Sequence, residues 1–378
     1  MPVAILRRKP VAQSSCNRWE RASASTLATQ RRVEAFVKAH GGQCSSGGLP
    51  VEQRTWEWRA CPALPTFSKQ RFCELLRGNL LLVGDSLTGT FTKALTVLLE
   101  ATVLSRTAGT SEWLACGNRR LVYRRNDALD LASHYSGGLL ADGRGHACGR
   151  RQPPLPAGGP AAVALANATS RGVLLCNPWS AEIRAADVLV LNAGAHGVPD
   201  DGYVSLMRLA SQFARQQRRP GALHLFRNTP FGHHNCSLTK HAPPLPSLRA
   251  AELALAREPQ YDWLAFKRRN QLAEPIFTAQ ANPNPSPSPN PDPSPSPNPN
   301  PNPSPNPSPN PNPNPNPNPN PNPNQGFGVL DAYSSTAMRR DSHTDCLHYE
   351  VCGPPVHWAL LLFAALSKQR GRGVVAVG

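Results

Sequence analysis

Residues Leu80–Thr90 read LLLVGDSLTGT. Four apolar residues, Leu80 to Val83, run into Gly84, Asp85 and Ser86, and an amphipathic stretch from Phe91 to Glu100 follows. That order predicts a buried strand, a tight turn and a helix. A serine between the carboxyl end of a strand and the amino end of a helix lies beside backbone N–H groups and the positive end of the helix dipole. Both stabilise negative charge next to its hydroxyl. Ser86 therefore has two readings, a nucleophile or a plain helix cap. The choice needs a base, an acid that orients the base, and a donor for an oxyanion.

Working outward, Trp56 and Trp58 alternate like one face of a strand. Pro62 and Pro65 break that strand, and Ser68 is placed to cap a short helix through Leu76. Downstream, Arg119 to Tyr123 reads as a strand. Asp187 to Leu191, within ADVLVLNAGAH, has the continuous apolar run of a parallel strand. A helix follows from about Val204 to Arg218, closed by Pro220 and Gly221, and Ala222 to Phe226 is the next strand. Helices are expected over Leu248 to Arg257 and Tyr261 to Phe277, and a last apolar helix includes Trp358 to Leu366. Strands alternating with helices predict right-handed βαβ units and an α/β fold with a mainly parallel sheet covered on both faces.

Asn282 to Asn324 is almost pure Asn-Pro and Ser-Pro dipeptide. It lacks regular backbone donors and apolar side chains, so it is expected to be a disordered insertion. The fold pattern resumes at Gly326, which places the tract inside the domain. The tract reads as a repeat expansion or a mis-translated intron, with a polyproline-type spacer as the alternative. The expected division is a basic, poorly ordered lead over 1–48, the first part of the domain over 49–281, the insertion over 282–324, and the last part over 325–370.

The chain has 378 residues, a net charge of +16 and ten cysteines. Its basic residues are scattered, without the aromatic-interleaved stripe of single-strand binders, so the charge reads as compositional drift and no nucleic-acid partner is expected. The cysteines form no CxxC pair and suit no zinc ligand set, so no metal is expected. Their even count fits disulfides in an oxidising compartment. The sequons Asn167-Ala168-Thr169 and Asn235-Cys236-Ser237 agree with a lumenal or secreted setting. The opening MPVAILRRKPVAQSS carries no apolar core of signal-peptide or membrane-span length. Leu27 to His40 is basic and weakly amphipathic, like a transit segment, unless the true start lies upstream.

Asp345-Cys346-Leu347-His348 supplies the missing acid and base within one turn. Acyl transfer through serine needs an imidazole to take the hydroxyl proton and a carboxylate to fix its tautomer. His343 and His357 are close enough to compete with His348. Asn192 and Gly194 follow a predicted strand and belong at the same sheet edge as Ser86, where an amide or a Gly N–H can meet an oxyanion. A turn needing positive φ is the alternative for that pair. Asp85 and Arg227 are candidate substrate-binding residues, with a structural ion pair as the alternative for the arginine.

Four blocks in order resemble the PC-esterase group, which includes the trichome-birefringence-like polysaccharide O-acetyltransferases. They are WEWRACPALPTF with LLLVGDSLTGT, then ADVLVLNAGAH, then LFRNTPFGHHNC, and last LDAY…MRRDSHTDCLHY…GPPVHWALLL. The resemblance spans about Thr55 to Leu366 apart from the tract. It implies an SGNH-type three-layer α/β/α sandwich, with Ser86 as nucleophile, His348 as base and Asp345 as its partner. It also implies an acyl-serine intermediate, no bound cofactor, an acetyl donor such as acetyl-CoA as co-substrate, and a polysaccharide or glycan acceptor in the Golgi lumen or secretory pathway. A carbohydrate O-acetylesterase and a non-catalytic glycan-binding relative are the alternatives on this scaffold. Three features depart from the family pattern. Thr88-Gly89-Thr90 stands where an Arg-Asn pair is usual. The cysteine after the Asp-x-x-His block is displaced to Cys352. The usual N-terminal membrane anchor, which would give membrane association, is missing.

Overall fold

The computed structural model describes residues 18–39, 44, 55–60, 63–107, 109–129, 178–196, 199–239, 242–257, 263–279 and 326–371. The Asn-Pro tract, the first sequon and Cys16, Cys61, Cys148 and Cys176 lie outside the described residues.

The apolar run of the opening stretch forms β3 (Asn79–Gly84), and Leu80 to Val83 are each at most 1% exposed. Burying each such side chain contributes about 1.5–3 kcal/mol. Around β3 the chain builds β4 (Thr102–Thr107), β5 (Thr110–Ala115), β6 (Arg119–Arg125), β7 (Ala186–Leu191), β8 (Leu223–Arg227) and β9 (Gly328–Leu330). Among the described residues these seven strands form one sheet in the order β4-β5-β6-β3-β7-β8-β9. From β6 to β9 every pairing is parallel, while β4, β5 and β6 are antiparallel.

Alternation along β3 sends its side chains to two cores. Leu80 and Leu82 pack with α2 (Lys69–Leu75), α3 (Ser86–Leu98) and α9 (Pro354–Gly371), through Phe72, Phe91, Leu95, Trp358 and Phe363. Leu81 and Val83 pack on the other face with α4 (Pro178–Glu182), α5 (Asp200–Gln216) and α7 (Trp263–Thr278), through Trp179, Met207, Phe213 and Phe277. Helices thus cover both faces of a mainly parallel sheet, the α/β arrangement expected from the sequence. The antiparallel β4–β5 edge is an addition to that expectation.

Within the lead expected over 1–48, residues 18–39 form regular structure. Strand β1 (Arg18–Arg21) pairs with β2 (Trp56–Arg59), and α1 (Ala24–Ala39) follows. Val33 joins the core at 2% exposure, and Gln30 donates to the Cys352 carbonyl (2.8 Å). The physical reason is long-range anchoring: a weakly amphipathic helix is marginal alone and is held by tertiary packing. Cys44 is bonded to Cys352 at the far end of the chain.

Two further disulfides, Cys73–Cys116 and Cys236–Cys346, use the rest of the described cysteines. Such bonds place the chain in an oxidising, extracellular or secretory setting. No helix among the described residues is long and apolar enough to cross a membrane. On either side of the tract the chain meets itself: the Phe327 N–H donates to the Phe277 carbonyl (2.9 Å), between α7 and β9.

Candidate active site

Strand β3 lies between β6, which precedes β7 in the chain, and β7 itself, so the strand order reverses there. In open α/β sheets ligands bind beyond the carboxyl ends of the strands at such a switch point. Ser86 is the first residue of α3, directly beyond the end of β3. The turn is tight because Gly84 has no side chain: an added Cβ would meet Thr88 Oγ1 and lie 2.7 Å from the Asn192 carbonyl oxygen.

His348 comes from the other end of the domain. Its Nε2 lies 2.7 Å from Ser86 Oγ, and its Nδ1 lies 2.7 and 2.9 Å from the two Asp345 carboxylate oxygens. With Nδ1–H donated to the carboxylate, Nε2 is the acceptor for the serine proton. The segment that carries both residues is a bent turn, not a helix. Asp345 Oδ1 accepts from the N–H groups of Leu347 (3.2 Å) and His348 (2.7 Å), and Cys346 has φ +65°. Thr344 N–H closes the turn on the His348 carbonyl (2.8 Å), and the Cys236 disulfide holds its tip. Partial burial pushes the Asp345 carboxyl up, but the His348 N–H and imidazole bonds outweigh it, and the group lies below the usual carboxylate value. The acid side chain stays 58% exposed and the imidazole 29%.

The competing histidines are engaged elsewhere. His343 and His233 form a buried pair, with Nε2 of His343 2.7 Å from Nδ1 of His233. His233 Nε2 donates to the Ala337 carbonyl (2.7 Å), which makes its Nδ1 the acceptor and His343 the donor. His357 is buried against Trp19 and Trp58.

Three sequence candidates are corrected. Asn192 does not present its amide to an oxyanion: it donates to the Arg227 carbonyl (2.9 Å) and Thr229 Oγ1 (3.3 Å), which uses both N–H bonds. Arg227 does not reach substrate, because it is 0% exposed. Its Nη2 donates to Asn192 Oδ1 (2.7 Å) and Thr88 Oγ1 (3.0 Å), and its guanidinium lies over the Trp358 ring at 4.9 Å. Burial lowers its pKa to about 10, against the pull of Asp85. Asp85 is likewise 0% exposed and caps α3 by accepting from Leu87 N–H (2.9 Å); burial pushes its carboxyl up. Both residues position the serine turn from below. The hydroxyl of Thr88 donates to Asn192 (3.1 Å) and accepts from Arg227. A guanidinium thus sits under this turn, supplied from β8.

Gly194 does lie beyond the carboxyl end of β7, with φ +141°. An added Cβ there would come 2.5 Å from Thr229 Oγ1. Both the turn reading and the edge placement therefore hold for it.

One pair at this edge was invisible to sequence reasoning. Asp127, buried beyond β6, lies 3.4 Å from His196 Nε2 beyond β7, and Arg125 Nε donates to the same carboxylate (2.9 Å). Only the parallel register of β6, β3 and β7 brings these residues together.

No protein-family model matches the chain, and no curated protein matches it.

Proposed function

We propose that this chain is a serine-dependent O-acyltransferase of the PC-esterase, SGNH type, which moves an acetyl group to a glycan hydroxyl. The observation that carries the reading is the continuous Ser86–His348–Asp345 relay, with contacts of 2.7 Å at both imidazole nitrogens. His348 Nε2 takes the Ser86 proton as Oγ attacks the acyl carbonyl, and Asp345 holds the imidazolium. Of the first N–H groups of α3, Leu87, Thr88 and Gly89 are bonded to Asp85, which leaves Ser86 N–H, with Gly194 N–H across the edge, to meet the oxyanion. His348 then protonates the leaving group. In the second half it deprotonates an acceptor hydroxyl as that oxygen attacks the acyl-serine, and His348 then gives the proton to Ser86 Oγ as the Oγ–acyl bond breaks.

The donor is an acetyl carrier such as acetyl-CoA, the acceptor a polysaccharide or glycan, and the setting the Golgi lumen or secretory pathway. Hydrolysis is the second reading, favoured by the 58% exposure of the Asp345 carboxylate, which leaves the relay open to water. Incubation with a labelled acetyl donor, with and without oligosaccharide, separates the two. Label passing to sugar supports the transferase and label lost only to water supports the esterase. Equal labelling of Ser86→Ala would remove the serine from both.

A further inference from the structure

A cavity of about 410 Å³ lies along the β1–β2 ribbon, and neither Ser86 nor His348 lines it. Its size is that of a small-molecule site, which spans about 300–1,000 Å³. The pairing Trp19↔Trp58 and Arg21↔Trp56 puts three indoles and a guanidinium on one face of the ribbon. All three indoles are half-buried. Trp19 and Trp58 brace each other at 5.4 Å and pack on His357, while Arg21 covers Trp56 at 4.2 Å. His357 also lines the cavity and is 5% exposed, and its Nε2 has no hydrogen-bond partner among the described residues.

Several charges in the wall are already engaged. Arg339 donates to Asp341 (2.8 Å), Arg59 lies 3.4 Å from Glu20, and Glu57 accepts from the Ser23 N–H (3.0 Å). A polyanion would meet these carboxylates, and a purely apolar ligand would displace water from a wall lined by the hydroxyl residues Ser23, Ser25, Thr26 and Thr29. A ligand with apolar C–H faces and hydroxyl edges fits both features, because indoles take the faces and the polar wall takes the edges.

The cavity also touches the catalytic turn. Ser342 and Glu350 line it, and the Glu350 N–H donates to the Ser342 carbonyl (2.9 Å). Those two residues are the feet of the turn whose tip carries Asp345 and His348.

We propose that this cavity binds a neutral glycan segment, stacked on Trp56 and the neighbouring indoles, and anchors it beside the feet of the catalytic turn. The site itself stands without the acyl-transfer reading; only its use in presenting an acceptor to Ser86 rests on that reading. The test is direct binding of the full-length Ser86→Ala chain to an array of neutral, uronate-bearing and sulfated oligosaccharides, so that no acyl chemistry enters the readout. Neutral oligosaccharides should be retained. Trp56→Ala in the same background should weaken the tightest of them about tenfold or more, and Trp56→Phe should restore most of the binding. Thermal unfolding of each variant separates a lost platform from a lost fold. Retention of only the charged glycans, no retention at all, or full-strength binding by a folded Trp56→Ala variant would overturn the proposal.

Discussion

Lowering the pH from 7 to 5 should remove much of the stability of this fold, because several imidazoles are buried neutral. Burial depresses His233 to about 4, partly offset by its bond to the Ala337 carbonyl. Burial also takes His357 to about 3, with Arg339 adding to the effect, and His224 to about 3, with Arg218 and Arg215 adding to it. His343 is lowered well below its ordinary value by burial and by His233. In each case the folded pKa lies below the unfolded value of about 6.5. The unfolded chain then binds more protons, so the contribution is fully present above pH 6.5 and is lost as the pH falls towards the folded value. Between pH 7 and 5 each independent site loses about 2 kcal/mol. Counting the His233–His343 pair once gives three sites and about 6 kcal/mol, comparable with the whole stability of a typical domain at about 5–15 kcal/mol. Urea titration followed by tryptophan fluorescence at the two pH values measures it. His224 supplies the internal control. It is 1% exposed with neither ring nitrogen bonded among the described residues, and it packs on Phe327 at 5.2 Å. His224→Leu should keep or raise stability at pH 7 and reduce the pH-dependent loss by about 2 kcal/mol. Equal stability at both pH values, or an unchanged loss in His224→Leu, would show that buried neutral imidazoles do not set the pH dependence.

Three other outcomes are expected. Asn192→Ala removes an acceptor from the buried Arg227 and should cost about 3–5 kcal/mol in denaturant unfolding, far more than an exposed Asn would. Loss of the Cys236–Cys346 bond, which closes a sequence separation of 110, should cost about 2–4 kcal/mol and loosen the turn that carries Asp345 and His348. The Cys236→Ser/Cys346→Ser double variant should therefore melt lower and acylate more slowly. Replacing 282–324 with a short Gly-Ser linker should leave cooperative unfolding intact and change stability by no more than about 2 kcal/mol, because the chain ends there already meet at Phe277 and Phe327. Loss of the cooperative transition would show that the tract contributes to the fold.

Much of this architecture was legible because periodicity is local. The apolar runs at Leu80, Asp187 and Ala222 became β3, β7 and β8, and Ser68 caps α2 by accepting from Arg71 N–H (3.2 Å). The Ser86, His348 and Asp345 constellation was legible because its chemistry needs few residue types, and Asp345 and His348 share one turn. Burial and tertiary pairing were not legible. Asn192, Asp85 and Arg227 stand at the right sheet edge, but only the packed structure turns their polar atoms inward toward Thr88 and α3. The lead resisted reading for the same reason. Residues 18–39 are held by partners outside the lead, the nearby β2 and the distant Cys352. The His233–His343 pair joins residues 110 positions apart, and no local pattern encodes it.

The geometry makes Ser86 an activated nucleophile with His348 as its base. Intact-mass and peptide mass spectrometry after treatment with a fluorophosphonate tests it most directly, since the reagent marks only serines whose proton is being removed. The relay predicts one adduct on the peptide containing Ser86, none on Ser86→Ala, and labelling slowed at least about 100-fold in His348→Ala. No adduct on the wild-type chain, or equal labelling of the His348→Ala variant, would contradict it.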